Sequence, residues 1–168
     1  APANRRALDE AAAGAFAKLG SPDMARMAVV AFDLNGLKQV NDQLGHAEGD
    51  RLIISAAALI LAHSNSLPGS LAARVGGDEF IVLVPGHSAE SVTSSAQTAL
   101  AAVAALSLGG GASCGMATAD VTQGDSSVSD LFRRADTALY RSKRAGQLIA
   151  LDTAGLPNPQ VDRSVEGQ

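Results

Sequence analysis

Between Met27 and Phe32 the chain is apolar without a break, the pattern of a strand covered on both faces, and Asp33 stands at its exit. Upstream, Leu8, Ala12, Ala15, Phe16 and Leu19 recur at helical spacing. They predict a helix over 4–19, with Asn4 as its cap and Gly20, Ser21 and Pro22 as its stop. Downstream, a short helix is expected from about Leu37 to Gln43, broken by Gly45. A longer one is expected from near Glu48, with Leu52, Ile53, Ala56, Leu59 and Ile60 on one face. Ser64 to Ser70, with Pro68 and Gly69, reads as a loop. Leu71 to Val75 and Glu79 to Val84 flank the glycine pair Gly76 and Gly77, which predicts a β-hairpin.

An alanine-rich helix over Ala89 to Leu106 then leads through Gly109, Gly110 and Gly111 to a strand containing Ala112, Cys114, Met116 and Thr118. Val128, Leu131, Phe132, Ala135, Ala138 and Leu139 mark a final helix closed by Gly146, and Leu148 to Leu151 suit a last short strand. Residues 1–153 are therefore expected to form one domain, and 154–168, polar and carrying Pro157 and Pro159, a mobile tail. Strands alternating with helices around one hairpin indicate a sheet covered by helices, of α/β or α+β type.

Composition narrows the partners. At 168 residues and 46% apolar, the chain suits one core rather than two. A net charge of −4 lacks the basic footprint of a nucleic-acid binder, so an anionic ligand must be gripped locally, by metals or a few placed cations. The single cysteine, Cys114, excludes an internal disulfide framework and suits a reducing compartment, making the cytoplasm the default. No apolar run reaches membrane-spanning length and no signal-peptide pattern opens the chain, so no direct membrane contact is expected.

Three stretches carry candidate chemistry. Arg74-Val75-Gly76-Gly77-Asp78-Glu79-Phe80 puts two acids on a hairpin tip, where the glycines permit positive φ angles and close approach of a ligand. By itself it also reads as an ordinary turn with solvated acids. Asp33 suits a helix cap; if the hairpin lies beside its strand, Asp33 and Asp78 would share hard-oxygen sites for Mg²⁺. From Asp33 to Asp42 a glycine-containing turn opens a helix that offers free N–H groups to phosphate, with Lys38 one turn on. Asn41 and Asp50 are suited to a guanine edge, an amide meeting donor and acceptor together and a carboxylate accepting from N–H groups. Taken one at a time, Asn41 as a helix-end residue, Asp50 as a first-turn acid and His46 as a structural turn residue are the favoured readings.

Taken together, the segments resemble the GGDEF family, which carries an acid ending a strand, then FK-x-x-ND, GH-x-x-GD, RxGGDEF and ALY-x-x-K-x-x-G. The corresponding residues are Asp33, Leu37 to Asp42, Gly45 to Asp50, Arg74 to Phe80 and Ala138 to Gly146, in register from about Asn4 to Leu151. The resemblance implies a central, mostly antiparallel sheet surrounded by helices, similar to nucleotidyl cyclase domains and polymerase palms, with the GGDEF motif on a hairpin. It implies a diguanylate cyclase that joins two GTP into cyclic di-GMP as a homodimer, using two Mg²⁺ or Mn²⁺ ions per active site.

By the same resemblance, Asp33, the Leu34 carbonyl and Asp78 would hold metal, and Glu79 would act as a further ligand or as a base. Asn41 and Asp50 would read guanine with His46 nearby and Leu37 lining the site. Lys38 and Lys143 would bind phosphate, with backbone N–H groups around Asn35 to Leu37, while Gly76 and Gly77 would leave room for the nucleotide. Lys38, Asp78 and Glu79 are thus the catalytic candidates.

Leu37 stands where Phe is commoner, Asn35 where a second Asp is frequent, and Gln147 where many active members have Arg. The uncharged Gln147 would weaken the grip on phosphate, and leaves a second reading, a GTP-binding regulatory module with little or no catalysis. The chain begins within the motif that ordinarily precedes Asn4-Arg5-Arg6, which implies an upstream sensory module and a parent that can be membrane-attached. Leu67-Pro68-Gly69-Ser70 replaces the Arg-x-x-Asp motif with which many members bind their product, so feedback inhibition there is not expected.

Overall fold

The computed structural model describes residues 1–120 and 127–146, and the backbone of 149–151. The elements run α1 (Arg5–Lys18), β1 (Arg26–Leu34), α2 (Leu37–Leu44), α3 (His46–Ser64), β2 (Leu71–Arg74), β3 (Glu79–Pro85), α4 (Ala89–Ala104), β4 (Ala112–Asp120), α5 (Val128–Ala145) and β5 (Ile149–Leu151). The strands form one sheet in the order β2-β3-β1-β4-β5. β1 is antiparallel to both β3 and β4, β2 is antiparallel to β3, and only β5 runs parallel to its neighbour β4. The expected mostly antiparallel sheet surrounded by helices is what forms.

The unbroken apolar run of β1 has the physical cause its pattern implies. Ala28, Val30, Phe32 and Leu34 face one core with residues of α3 and α4, whereas Met27, Val29 and Ala31 face a second core with residues of α1 and α5. A strand at the centre of such a sandwich has no solvent face, and all of its residues after Arg26 are buried. Each fully buried side chain of the size of Leu8, Met27 or Leu131 contributes about 1.5–3 kcal/mol over its exposed state.

Local signals set the helix ends. The Asn4 side chain accepts from the Ala7 N–H at 2.9 Å and starts α1. Gly36, at φ 76°, turns the chain from β1 into α2 in the left-handed region that side chains avoid. The long helix α3 begins at His46, two residues before the expected start near Glu48.

The hairpin expectation is met, with Val75 N–H donating to the Glu79 carbonyl at 3.0 Å. Its proposed cause is not: neither Gly76 nor Gly77 has a positive φ. A Cβ at Gly76 would lie 3.1 Å from a Glu79 carboxylate oxygen, a tight contact that the exposed Glu79 side chain would relieve by a small shift; at Gly77 the same position opens onto free space. Gln147 and the tail at 154–168 lie outside the described residues. Among the described residues no helix is long and apolar enough to cross a membrane.

Candidate active site

The register of the sheet brings the acids together. Asp33, next to last in β1, sits opposite Glu79 on β3 and opposite Ser113 on β4. One residue on, the Leu34 N–H donates to the Asp78 carbonyl at 3.0 Å, tying the hairpin tip to the end of β1. Carboxylate oxygens of Asp33, Asp78 and Glu79 all lie within 4.8 Å of one another, with Asp33 buried, Asp78 intermediate and Glu79 exposed. Asp33 is not a helix cap, because α2 is entered through Gly36 with no capping side chain.

The electrostatics are those of a site short of positive charge. Burial raises the Asp33 carboxyl above its usual range, and the neighbouring Asp78 adds to the rise; the hydrogen bond and charge of Lys143 oppose it. Glu79 is raised by burial first, then by Asp33, Asp78 and Asp136, with Lys143 again opposing. Lys143 donates to Asp33 Oδ2. Asp33 Oδ1 is buried and, among the described residues, accepts no hydrogen bond, which is costly for a carboxylate oxygen. Three converging carboxylates with an unsatisfied buried oxygen form the hard-oxygen donor set that Mg²⁺ or Mn²⁺ prefers, so these residues fit a divalent cation. Leu34 is buried in the core, and its backbone carbonyl is the group it can offer such an ion.

The candidate base-reading residues sit on the neighbouring pair α2 and α3. Asn41 lies inside α2 rather than at its end, and its side chain covers Gly49 of α3 so closely that a Cβ at Gly49 would fall 1.8 Å from Asn41 Oδ1. Asn41 is thereby held one residue from Asp50, which projects from α3 into solvent, as does His46. Leu37 is half-buried against the core at the start of α2. The N–H groups of Leu37, Lys38 and Gln39 precede the first intrahelical bond, Val40 N–H to the Gly36 carbonyl at 3.0 Å, and so have no acceptor within the helix. The Asn35 N–H is different: it donates to the Gly111 carbonyl at 2.9 Å, so the expected phosphate-binding amides begin after Asn35. Lys38 is exposed and pairs with Asp42 at 2.7 Å.

Four contacts were not foreseen from sequence. Gly115 of β4 lets α5 press onto the sheet, since a Cβ there would lie 2.1 Å from the Leu139 backbone nitrogen; that close approach carries Lys143 to Asp33. Asn35, where an acid is frequent, exchanges hydrogen bonds with Ser113 at 3.1 and 3.3 Å and so fastens the β1–α2 turn to β4. Gly49 makes the Asn41 contact possible, and Arg74 bonds the carbonyls of Gly76 and Gly77. A glycine inside a helix or a strand is the sequence signal for such contacts, but it does not name the partner.

A mostly antiparallel sheet under helices, with acids at the end of a central strand and on an adjacent hairpin tip, defines a palm-like nucleotidyl cyclase domain. Residues 3–148 match the family model described as diguanylate cyclase, GGDEF domain, and the chain belongs to that family. It is 42% identical over 144 residues to a Streptomyces griseus protein described as uncharacterized, in the hutH 5' region, covering 85% of this chain and 59% of that one. It is 34% identical over 119 residues to diguanylate cyclase DgcM of Escherichia coli K12, covering 68% of this chain and 28% of the relative. The chain thus spans less than two thirds of either relative. Among solved structures, the GGDEF domain of DgcB from Caulobacter crescentus, in complex with c-di-GMP, superposes with a TM-score of 0.79 at 28% identity, covering 89% of this chain and 91% of that one. The active GGEEF domain of a Vibrio cholerae diguanylate cyclase superposes at 0.81 with 26% identity, covering 90% and 97%.

Proposed function

We propose that this domain is an active diguanylate cyclase that condenses two GTP into cyclic di-GMP and two pyrophosphates, each of two subunits presenting one GTP to the other. The observation that carries this reading is the convergence of Asp33, Asp78 and Glu79 around a buried carboxylate oxygen without a partner among the described residues. In each half-reaction the 3′-oxygen of one GTP attacks the α-phosphorus of the other. The bond from that phosphorus to the bridging oxygen breaks, pyrophosphate departs with the electron pair, and the hydroxyl proton passes to a base. The reciprocal step closes the ring. Two Mg²⁺ or Mn²⁺ ions held by Asp33, Asp78, Glu79 and the Leu34 carbonyl would lower the pKa of the attacking hydroxyl and offset charge on the leaving pyrophosphate.

The protein groups divide the remaining work. Asn41 and Asp50 read the guanine edge, with His46 and Leu37 beside it. The free amides opening α2 receive phosphate oxygens, and Lys38 and Lys143 leave their carboxylate partners to join them. Gly77, with open space where a side chain would stand, leaves room for the nucleotide over the hairpin, and Gly76 keeps Glu79 free to turn. Glu79, its carboxyl held above the ordinary range, completes the cation set or takes the hydroxyl proton.

The reaction is expected in the cytoplasm, under control of a module outside this chain. The 67–70 loop, closed by a Ser70 N–H to Leu67 carbonyl bond at 3.1 Å, brings no charged group to grip product. Because neither subunit can complete the ring alone, specific activity must rise with protein concentration. A rate per subunit independent of concentration, from protein shown to be monomeric, contradicts this mechanism.

A further inference from the structure

We infer that Asn35 is a positioning residue for both halves of the site, and that Ser113 of β4 holds it in place; the inference rests on the Leu34 carbonyl being a ligand of the cation site proposed above. Asn35 is the one residue between the end of β1 and Gly36, which caps α2. On one side it shares a peptide group with the Leu34 carbonyl. On the other it leads through Gly36 to the amides that open α2, so the direction of both groups depends on how this residue is held. Three tethers run from it to the start of β4. Its N–H donates to the Gly111 carbonyl at 2.9 Å, and its carbonyl accepts the Gly110 N–H at 3.0 Å. Its side-chain Nδ2 donates to Ser113 Oγ at 3.1 Å, and that hydroxyl lies 3.3 Å from Oδ1, to which it can donate in turn.

The first tether aims the Leu34 carbonyl. No peptide bond among the described residues is cis, so the carbonyl that shares a plane with the Asn35 N–H points away from Gly111. That is the side of β1 on which the Leu34 N–H meets Asp78. The second tether backs the turn into α2, where a Cβ at Gly36 would lie 3.3 Å from the Gly110 nitrogen. Gly109, Gly110 and Gly111 are by themselves a compliant anchor, because three successive glycines leave the backbone its widest freedom. The side-chain tether reaches past them into the sheet. Ser113 is 5% exposed and stands opposite Asp33 in the β1–β4 ladder. A buried hydroxyl needs a partner, and the Asn35 amide supplies one without charge. Continuing the alternation of β1, residue 35 falls on the face of Asp33, where a carboxylate would add repulsion to acids that already repel.

The test uses the whole chain with Asn35→Ala, Ser113→Ala, the double variant, and Asn35→Asp, whose carboxylate still accepts from the Ser113 hydroxyl. Mn²⁺ affinity is measured by titration, hydrogen exchange at the amides of residues 35 and 110 by NMR in metal-free protein, and melting temperature alongside. The expected result is Mn²⁺ binding weakened about tenfold and faster exchange at both amides in Asn35→Ala and in Ser113→Ala, with exchange near the wild-type rate in Asn35→Asp. The double variant should lose no more than either single one, because the two side chains make one interaction. Unchanged Mn²⁺ affinity in Asn35→Ala and Ser113→Ala overturns the positioning role, even where the melting temperature falls, since a bond that only stabilises the fold gives that pattern. Losses that add in the double variant overturn the pairing with Ser113. Wild-type protein that binds no Mn²⁺ would instead refute the cation site, while the exchange measurement still decides whether Asn35 and Ser113 hold the turn.

Discussion

The two halves of the candidate site are built differently. The acidic half is fixed by backbone: β-sheet register sets Asp33 opposite Glu79, and a main-chain bond joins Leu34 to Asp78. The proposed nucleotide half is carried on the surface of α2 and α3, where Asp50 and His46 are exposed and Lys38 is occupied by Asp42. The difference teaches that charge repulsion is held in place by the rigid part of the fold, while the groups proposed to grip substrate stand on its exposed surface. Like charges kept together need a frame that cannot relax; a phosphate or a base can draw mobile side chains to itself.

The largest predicted effect breaks the rigid half. Asp78→Ala should lower turnover by roughly 1,000-fold or more, since it removes a carboxylate from the cation set. Its melting temperature should stay near that of the wild type, because the residue contributes repulsion and little packing. A kinetic assay beside a thermal melt checks both, and gross unfolding of the variant would return Asp78 to a structural role.

Next comes the nucleotide half. Asp50→Ala should lower the preference for GTP over ATP by roughly 10- to 100-fold, the worth of a hydrogen bond to a charged group, read as the ratio of kcat/KM values. Equal turnover of the two nucleotides by the wild type would contradict the assignment of Asp50. Gly49→Ala sharpens the comparison further: its methyl group would displace the Asn41 side chain, raising KM for GTP by about tenfold at a stability cost of about 1 kcal/mol. If KM is unchanged, Asn41 does not read the base.

The smallest effect is one of pH. Asp33, Glu79 and Asp136 are all raised above the ordinary carboxylate range, burial being the first cause in each. Between the ordinary and the raised values the folded state binds more protons than the unfolded chain. Metal-free protein should therefore gain stability as pH falls from neutral through the raised values, and lose it again as pH rises. Saturating Mn²⁺ should reverse the slope in that window, because the cation favours the ionised carboxylates. Melting temperatures across pH with and without Mn²⁺ test this; a metal-free profile that only falls on acidification would count against the strained cluster.

Much of this fold was legible in one dimension because its signals are local. The unbroken run Met27 to Phe32 announced a two-sided strand, Asn4 announced a cap, and the pair Gly76-Gly77 announced the hairpin. The motif residues were legible as a set, but their meeting was not: nothing in the sequence places Asp33 against Glu79, since register is a property of paired strands. Nor does the sequence show that Gly76 and Gly77 form the hairpin without a positive φ, or that Asn35 spends its N–H on Gly111. The contacts of Gly49 and Gly115 were hidden for the same reason: a glycine marks a close approach without saying what approaches.

The central claim, that the converging acids serve GTP condensation, is tested most directly by product analysis. The chain at high concentration is incubated with GTP and Mg²⁺ or Mn²⁺, Asp78→Ala in parallel, and the nucleotides are identified by mass spectrometry. The account predicts cyclic di-GMP and pyrophosphate in the ratio of one to two from the wild type and neither from the variant. Metal-dependent GTP binding without cyclic dinucleotide, even when the domain is artificially dimerised, would contradict it and make the domain a regulatory module.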